Sequence, residues 1–190
     1  MNTLNTNTLK TIKLIALFFI ATLTITSCSD DDHDHDHDHE EELITTVTYT
    51  LTNGNDVVTL KFTDLTGEST DDATYEVSGP LTANATYTGV LKLENETESP
   101  AEDITEEVKA EDDEHEFFFA SSVSGLAITK TDTDGNGNPV GIESSLTTGP
   151  AGSGTLTVVL KHEPTKPNDG TSANAGGSTD LEVTFTISVQ

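Results

Sequence analysis

Residues 43–190 predict an all-β domain, an immunoglobulin-like β-sandwich of about nine strands with one short surface helix. Three observations carry that expectation. Short runs rich in Val, Ile, Thr, Tyr and Phe recur along this stretch and partly alternate in polarity, as half-buried strands do. Clusters of Gly, Asn, Pro and Ser separate them and supply the backbone conformations that turns need. Only one segment carries a helix-start signal. A barrel made from the same strands is the competing way to close the sheet.

The first run, Ile44 to Leu51, is followed by Asn53-Gly54-Asn55-Asp56 and then by Val57 to Thr63. Asn-Gly between two such runs marks an antiparallel hairpin, because both residues tolerate the positive φ of a tight turn. A polar loop from Asp64 to Asp72 leads to strand material at Thr74 to Ser78, a Gly79-Pro80 break and a longer strand from Thr86 to Glu94. Ser99-Pro100-Ala101-Glu102 puts a capping residue before proline and a glutamate three residues after the cap. The helix is therefore expected from Pro100 to about Ala110, on the surface, since Ile104 and Val108 are its main apolar residues. The acidic run Glu111 to Glu116 enters a strand at Phe117-Phe118-Phe119, and further strands are expected at Leu126 to Thr131, Val140 to Thr147, Thr155 to His162 and Leu181 to Val189. The Pro164 to Gly177 loop, rich in Gly, Asn, Pro and Ser, is expected to be mobile.

Ahead of the domain, residues 1–27 carry Lys10 and Lys13, no acid, and an apolar run from Leu14 to Thr24. That run is too short for a permanent span and fits a secretory signal peptide. It ends at Ile25-Thr26-Ser27-Cys28, which resembles the bacterial lipobox. The resemblance implies cleavage before Cys28 and lipid on that residue, enough buried methylenes for stable anchoring. Cys28 is the sole cysteine, so no disulfide can form within the chain. Ser29, Asp30, Asp31 and Asp32 resemble the acidic export signal that sends some lipoproteins to the outer face of the outer membrane; a solvated acidic tether is the bland alternative. The expected organisation is a signal peptide over 1–27, an anchor and acidic His/Asp-rich tether over 28–42, and the sandwich over 43–190. The expected location is the outer membrane, at the cell surface.

The chain holds 8 Lys and Arg against 34 Asp and Glu, a formal charge of -26, and contains no arginine. Such a surface argues against nucleic acid and anionic lipid, whose binding depends on basic groups that displace counterions. Cations are the natural small partners. There is no tryptophan, and only Tyr49, Tyr75 and Tyr87 carry phenol rings, which disfavours the flat aromatic platforms of glycan-binding faces.

A family resemblance rests on an ordered set of segments: the His/Asp tract, Ile44-Thr45-Thr46-Val47, Ser99-Pro100-Ala101-Glu102, Thr131-Asp132-Thr133-Asp134, Leu160-Lys161-His162-Glu163-Pro164 and Gly176-Gly177-Ser178-Thr179-Asp180. Together they resemble uncharacterised flavobacterial-type surface lipoproteins, often labelled "type 1 periplasmic binding fold superfamily protein". That label implies a two-lobed α/β fold. This sequence departs from it, lacking both the helices and the length, so no sugar or amino-acid site is carried over.

His33, His35, His37 and His39 alternate with Asp34, Asp36 and Asp38. Neutral imidazole ligates Zn²⁺ and other transition metals, and the carboxylates add charge and oxygen donors. In an extended chain these imidazoles stand about 6 to 7 Å apart on one face. Zinc bonds of about 2 Å cannot bridge that spacing, so the tract would have to wrap around the ion. An inert acidic spacer is the competing reading. His115, between Glu114 and Glu116, and His162, before Glu163, would form a second metal site if the fold brought them together. Asp132, Asp134, Asn136 and Asn138, with Glu143 at the twelfth position, match the spacing of an EF-hand Ca²⁺ loop, though β-rich runs replace its helices and a plain turn fits as well.

No nucleophile elbow or free thiol suggests an enzyme. The leading expectation is a surface lipoprotein that captures a transition metal, zinc first, for a neighbouring TonB-dependent receptor. The alternatives are a structural or adhesion sandwich with an inert tether, and a solute-binding accessory lipoprotein.

Overall fold

A computed structural model describes residues 43–66 and 72–190. Cys28, the acids after it and the histidine tract lie outside the described residues. One compact unit runs from Glu40 to Gln190. Its described residues form a β-sandwich of nine strands in two antiparallel sheets. The strands are β1 (Thr46–Asn53), β2 (Asp56–Thr63), β3 (Thr74–Val77), β4 (Thr86–Glu94), β5 (His115–Ser121), β6 (Ala127–Lys130), β7 (Glu143–Thr147), β8 (Gly152–His162) and β9 (Ser178–Val189), with one helix, α1 (Ile104–Ala110), between β4 and β5. The large sheet has the order β3-β2-β1-β4-β7-β6 and the small one β5-β8-β9.

Alternation in the sequence becomes inside and outside. Val47, Tyr49 and Leu51 of β1, Leu60 and Phe62 of β2, and Leu91 and Leu93 of β4 are buried, and they meet Phe117, Leu160, Val183 and Phe185 of the small sheet in a single core. Tyr49 stacks on Phe119 across the two layers, ring centroids 5.7 Å apart. Its hydroxyl reaches Ser144 Oγ at 2.6 Å, and burial pushes the phenol pKa up to about 12. That contact needs a bare position opposite: a Cβ on Gly89 would stand 2.5 Å from the Tyr49 oxygen.

Among the boundaries that differ from expectation, two have local reasons that are easily traced. The β1–β2 hairpin closes on the Asn53 and Asp56 pair, so its two-residue loop is Gly54-Asn55, with Gly54 at φ +60° in the first position, where a type II′ turn requires it. The helix starts later than the Ser99-Pro100 signal. Asn95 and Glu102 pair as an isolated bridge, and Asp103 is the true N-cap, accepting the Thr105 N–H at 3.1 Å. Nor does α1 merely lie on the surface. Ile104 and Val108, one turn apart, are buried in the core, and the Thr105 hydroxyl bonds both the N–H and the C=O of Leu93.

The long loop expected to be mobile is clasped. Thr165 N–H donates to Ala175 O at 2.7 Å, and Ala175 packs with Phe118 and Val159 on the outer face of the small sheet. Lys166 donates to the Asp112 and His115 carbonyls at 2.6 and 2.7 Å. Its composition suggested freedom, but a buried lysine and one small apolar residue hold it down. Among the described residues no helix is long and apolar enough to cross a membrane.

Candidate metal centre

The register of the small sheet places the two folded-domain histidines. Phe117 pairs with Leu160 in the core, and two residues further along His115 pairs with His162. Since side chains two apart share a face, both imidazoles project on the core side at one end of the sandwich. They stack with centroids 4.8 Å apart and planes 14° apart. His115 is buried; its Nδ1 lies 3.1 Å from the Glu111 carbonyl, an acceptor only. That bond assigns the proton to Nδ1 and leaves the Nε2 lone pair as a ligand, the arrangement in which an outer partner orients a metal-binding histidine.

A third donor comes from a position the sequence reading did not single out. Between Leu160 and Lys161 the β8–β9 pairing slips: Leu160 faces Leu181, Lys161 faces Thr179, and Asp180 is the extra residue. A bulge re-aims the side chain it displaces. Here it brings a carboxylate oxygen of Asp180 to 4.0 Å from His115 Nε2. One donor atom each from His115, His162 and Asp180 lie within 4.8 Å of one another, and Glu114, His162 and Glu163 form a second group equally close. Glu114 lies 3.7 Å from His162 Nε2 and, at 42% exposure, faces solvent.

The strand ends are tied together by the main chain. Glu163 N–H donates to Glu114 O at 2.6 Å, and Glu163 itself sits at φ +50°. Beside it Gly177, at φ +65°, runs so close that a Cβ would stand 2.1 Å from His162 O. The Gly176-Gly177 pair just before β9 was the available signal for the irregular strand start, since glycine allows both the conformation and the close approach.

Tetrahedral zinc with bonds of about 2 Å holds its donors about 3.3 Å apart, so these side chains need only modest rotation to close on an ion. Three protein donors leave a fourth position for water or an exchanging ligand, unlike the closed sites that serve only structure.

The Asp132 to Glu143 stretch, expected as a Ca²⁺ loop or a plain turn, engages its carboxylates differently. The Asp132 carboxylate accepts the N–H groups of Gly141, Ile142 and Glu143 at 2.7, 2.9 and 3.1 Å. Asp134, buried, accepts the N–H groups of Asn136 and Asn138 at 2.9 and 2.8 Å and the Asn138 side-chain amide. Lys166 Nζ stands 3.4 Å from its other oxygen. Burial would raise the Asp134 pKa, but the Asn138 and Asn136 donors and Lys166 outweigh it and hold the carboxyl below its usual value. Protein donors thus occupy the oxygens, and Asp132, Asp134 and Glu143 do not gather into a ligand group.

In comparisons with known proteins, no family model, no curated protein and no solved structure matches the chain. The two-lobed α/β architecture implied by the periplasmic-binding label is not the one this chain adopts.

Proposed function

We propose that the protein is a surface-exposed outer-membrane lipoprotein that captures a transition-metal ion, zinc first, and yields it to a neighbouring TonB-dependent receptor. The observation that carries the metal reading is the cross-strand pairing of His115 with His162 beside Asp180. Imidazole and carboxylate donors at tetrahedral-compatible spacing suit zinc, and the open position suits an ion that is handed on. The acidic surface favours cations in the surrounding solvent. In this reading the tract of His33, His35, His37 and His39 collects ions and the folded site holds one. The lipid anchor at Cys28 and the acids Asp30 to Asp32 supply the location.

Calorimetric titration of the full chain with Zn²⁺, Cu²⁺ and Ni²⁺ tests the reading. A binding component that survives deletion of residues 33–39 and disappears in a His115→Ala, His162→Ala double variant is the expected result. Identical isotherms for the parent and the double variant would refute the folded site. Absence of lipid on the wild type, or equal lipid on Cys28→Ser, would refute the anchor.

A further inference from the structure

The outer face of the small sheet holds a second buried cluster, unconnected with metal donors. Glu116 of β5 is almost fully buried under the 163–177 loop, and its two oxygens serve two different partners. Lys130, at the end of β6 on the rim of the large sheet, donates its Nζ to Oε1. Asn168, in the loop, donates its Nδ2 to Oε2 at 2.6 Å. Lys130 Nζ also lies over the Phe118 ring, 4.2 Å from its centroid, which shields that side from water. The orientation of the Asn168 amide is fixed by its neighbours. Nδ2 also donates to Thr165 O at 3.0 Å, while Oδ1 accepts the Gly170 N–H at 2.8 Å.

We propose that Lys130 and Asn168 join autocatalytically as an intramolecular isopeptide cross-link, with Glu116 as the proton-transfer group. The amine, the amide and a carboxylate hydrogen-bonded to both are the complete set of reactants and acid–base catalyst for such a transamidation. Two donors on one carboxylate stand about 4 to 5 Å apart, so a small side-chain rotation brings Nζ onto Asn168 Cγ. Glu116 takes a proton from the Lys130 ammonium, and the freed amine pair attacks Cγ. Negative charge moves to Oδ1, where the Gly170 N–H already points, as a backbone donor does in an oxyanion hole. The carboxyl then returns the proton to Nδ2, the Cγ–Nδ2 bond breaks to release ammonia, and the ammonia takes the surplus proton from Nζ, leaving the neutral Nζ–Cγ amide. The balance is one lysine ammonium and one asparagine amide giving one secondary amide and one ammonium ion, with no oxidant and no cofactor. Burial lowers the Lys130 pKa from the ordinary lysine value, toward the neutral amine that attacks, although the Glu116 carboxylate pulls the other way.

The product would join the rim of the large sheet to the loop covering the small one. A chain whose sole cysteine lies outside the sandwich has no disulfide with which to make that connection.

Protease digestion of the full purified chain, followed by mass spectrometry of the peptides, decides the matter without any variant. The expected product is a branched peptide joining Lys130 to Asn168, lighter by one ammonia than its two arms. Whole-chain mass is a poorer readout, because Asn53-Gly54 and Asn136-Gly137 can shed the same ammonia as succinimides. Lys130→Arg and Asn168→Ala should give only linear peptides, and Glu116→Gln should lose most of the branched product. Linear, unmodified peptides covering both positions in the folded wild type would overturn the cross-link. Undiminished branching in Glu116→Gln would overturn the role of the carboxylate.

Discussion

The loop from Asp132 to Glu143 and the strand ends carrying His115 and His162 both present several metal-capable side chains, yet the fold uses them in opposite ways. In the loop, five backbone N–H groups and a lysine are spent on two carboxylates. At the strand ends, the single backbone partner of His115 is an acceptor and takes the proton-bearing nitrogen, leaving the donor nitrogen facing its neighbours. Spacing in the sequence proposes ligands; competition from the protein's own donors decides whether they remain ligands. Oxygen-rich turns are exposed to that competition, because carboxylates are what unsatisfied turn amides seek.

The largest effect expected from this contrast is on stability, in the loop. Asp134→Ala removes one member of a buried ion pair, leaves Lys166 with only the Asp112 and His115 carbonyls and frees two turn amides, at a cost of about 3 to 5 kcal/mol. Chemical denaturation should show it as a lower midpoint with an unchanged slope. A loss well under ~1 kcal/mol would mean that the turn holds without its carboxylate. The sign with pH follows. Because the folded Asp134 pKa is depressed, its contribution is complete above the unfolded value of about 3.9 and is lost as pH falls through the lower folded value. Asp134→Asn should therefore be less sensitive to acid than the wild type in that window.

Next in size is Gly177→Ala, which puts a methyl group into the His162 and Glu163 backbone and strains a left-handed position. A stability loss of roughly 1 to 3 kcal/mol is expected. The sharper readout is zinc affinity, because the backbone that moves leads into the bulge that aims Asp180. Weakened zinc binding with the loop's acid transition unchanged would confirm that the two regions are independent. Equal damage to both would show that they are one unit.

Much of the fold was legible because strand patterning and burial are the same property seen twice. β4 was expected at Thr86 to Glu94 and is found there, and Tyr87, Leu91 and Leu93 point inward as their alternation implies. The helix start was misplaced because Ser99-Pro100-Ala101-Glu102 satisfies a local capping rule, whereas the Asn95 and Glu102 bridge is a tertiary competitor that no local rule contains. His115 and His162 could be named but not joined, since their pairing depends on the β5–β8 register. Asp180 was invisible as a ligand because a bulge, rather than a motif, turns it inward. The partnership of Glu116, Lys130 and Asn168 draws on two strands and a loop, and no spacing rule connects them.

On the metal side, His115→Ala or His162→Ala should weaken the folded site's zinc affinity by at least ~100-fold, at the upper end of what loss of an outer partner alone costs. Glu114→Gln, which alters an exposed carboxylate, should cost less. If Glu114→Gln were the more damaging, the ion would sit in the outer group with Glu163 and His162, and Asp180 would be a bystander. Zinc-edge X-ray absorption would then show more oxygen and less nitrogen around the ion.

The smallest expected effect is none at all, and it tests the contrast from the other side. A calcium ion entering the Asp132 loop would have to displace three backbone amides from one carboxylate and, from the other, two backbone amides, the Asn138 side-chain amide and Lys166. Each neutral bond is worth about 1 kcal/mol, and those to charged groups more. Breaking those bonds offsets what the ion would gain, so little preferential binding of Ca²⁺ to the native loop is expected. Millimolar Ca²⁺ should leave the midpoint of the wild type within about 1 °C, the shift a few tenths of a kcal/mol would produce. A clear rise that Asp134→Ala abolished would show that Lys166 and the turn amides yield to an ion after all, and the distinction between the two regions would then be one of degree.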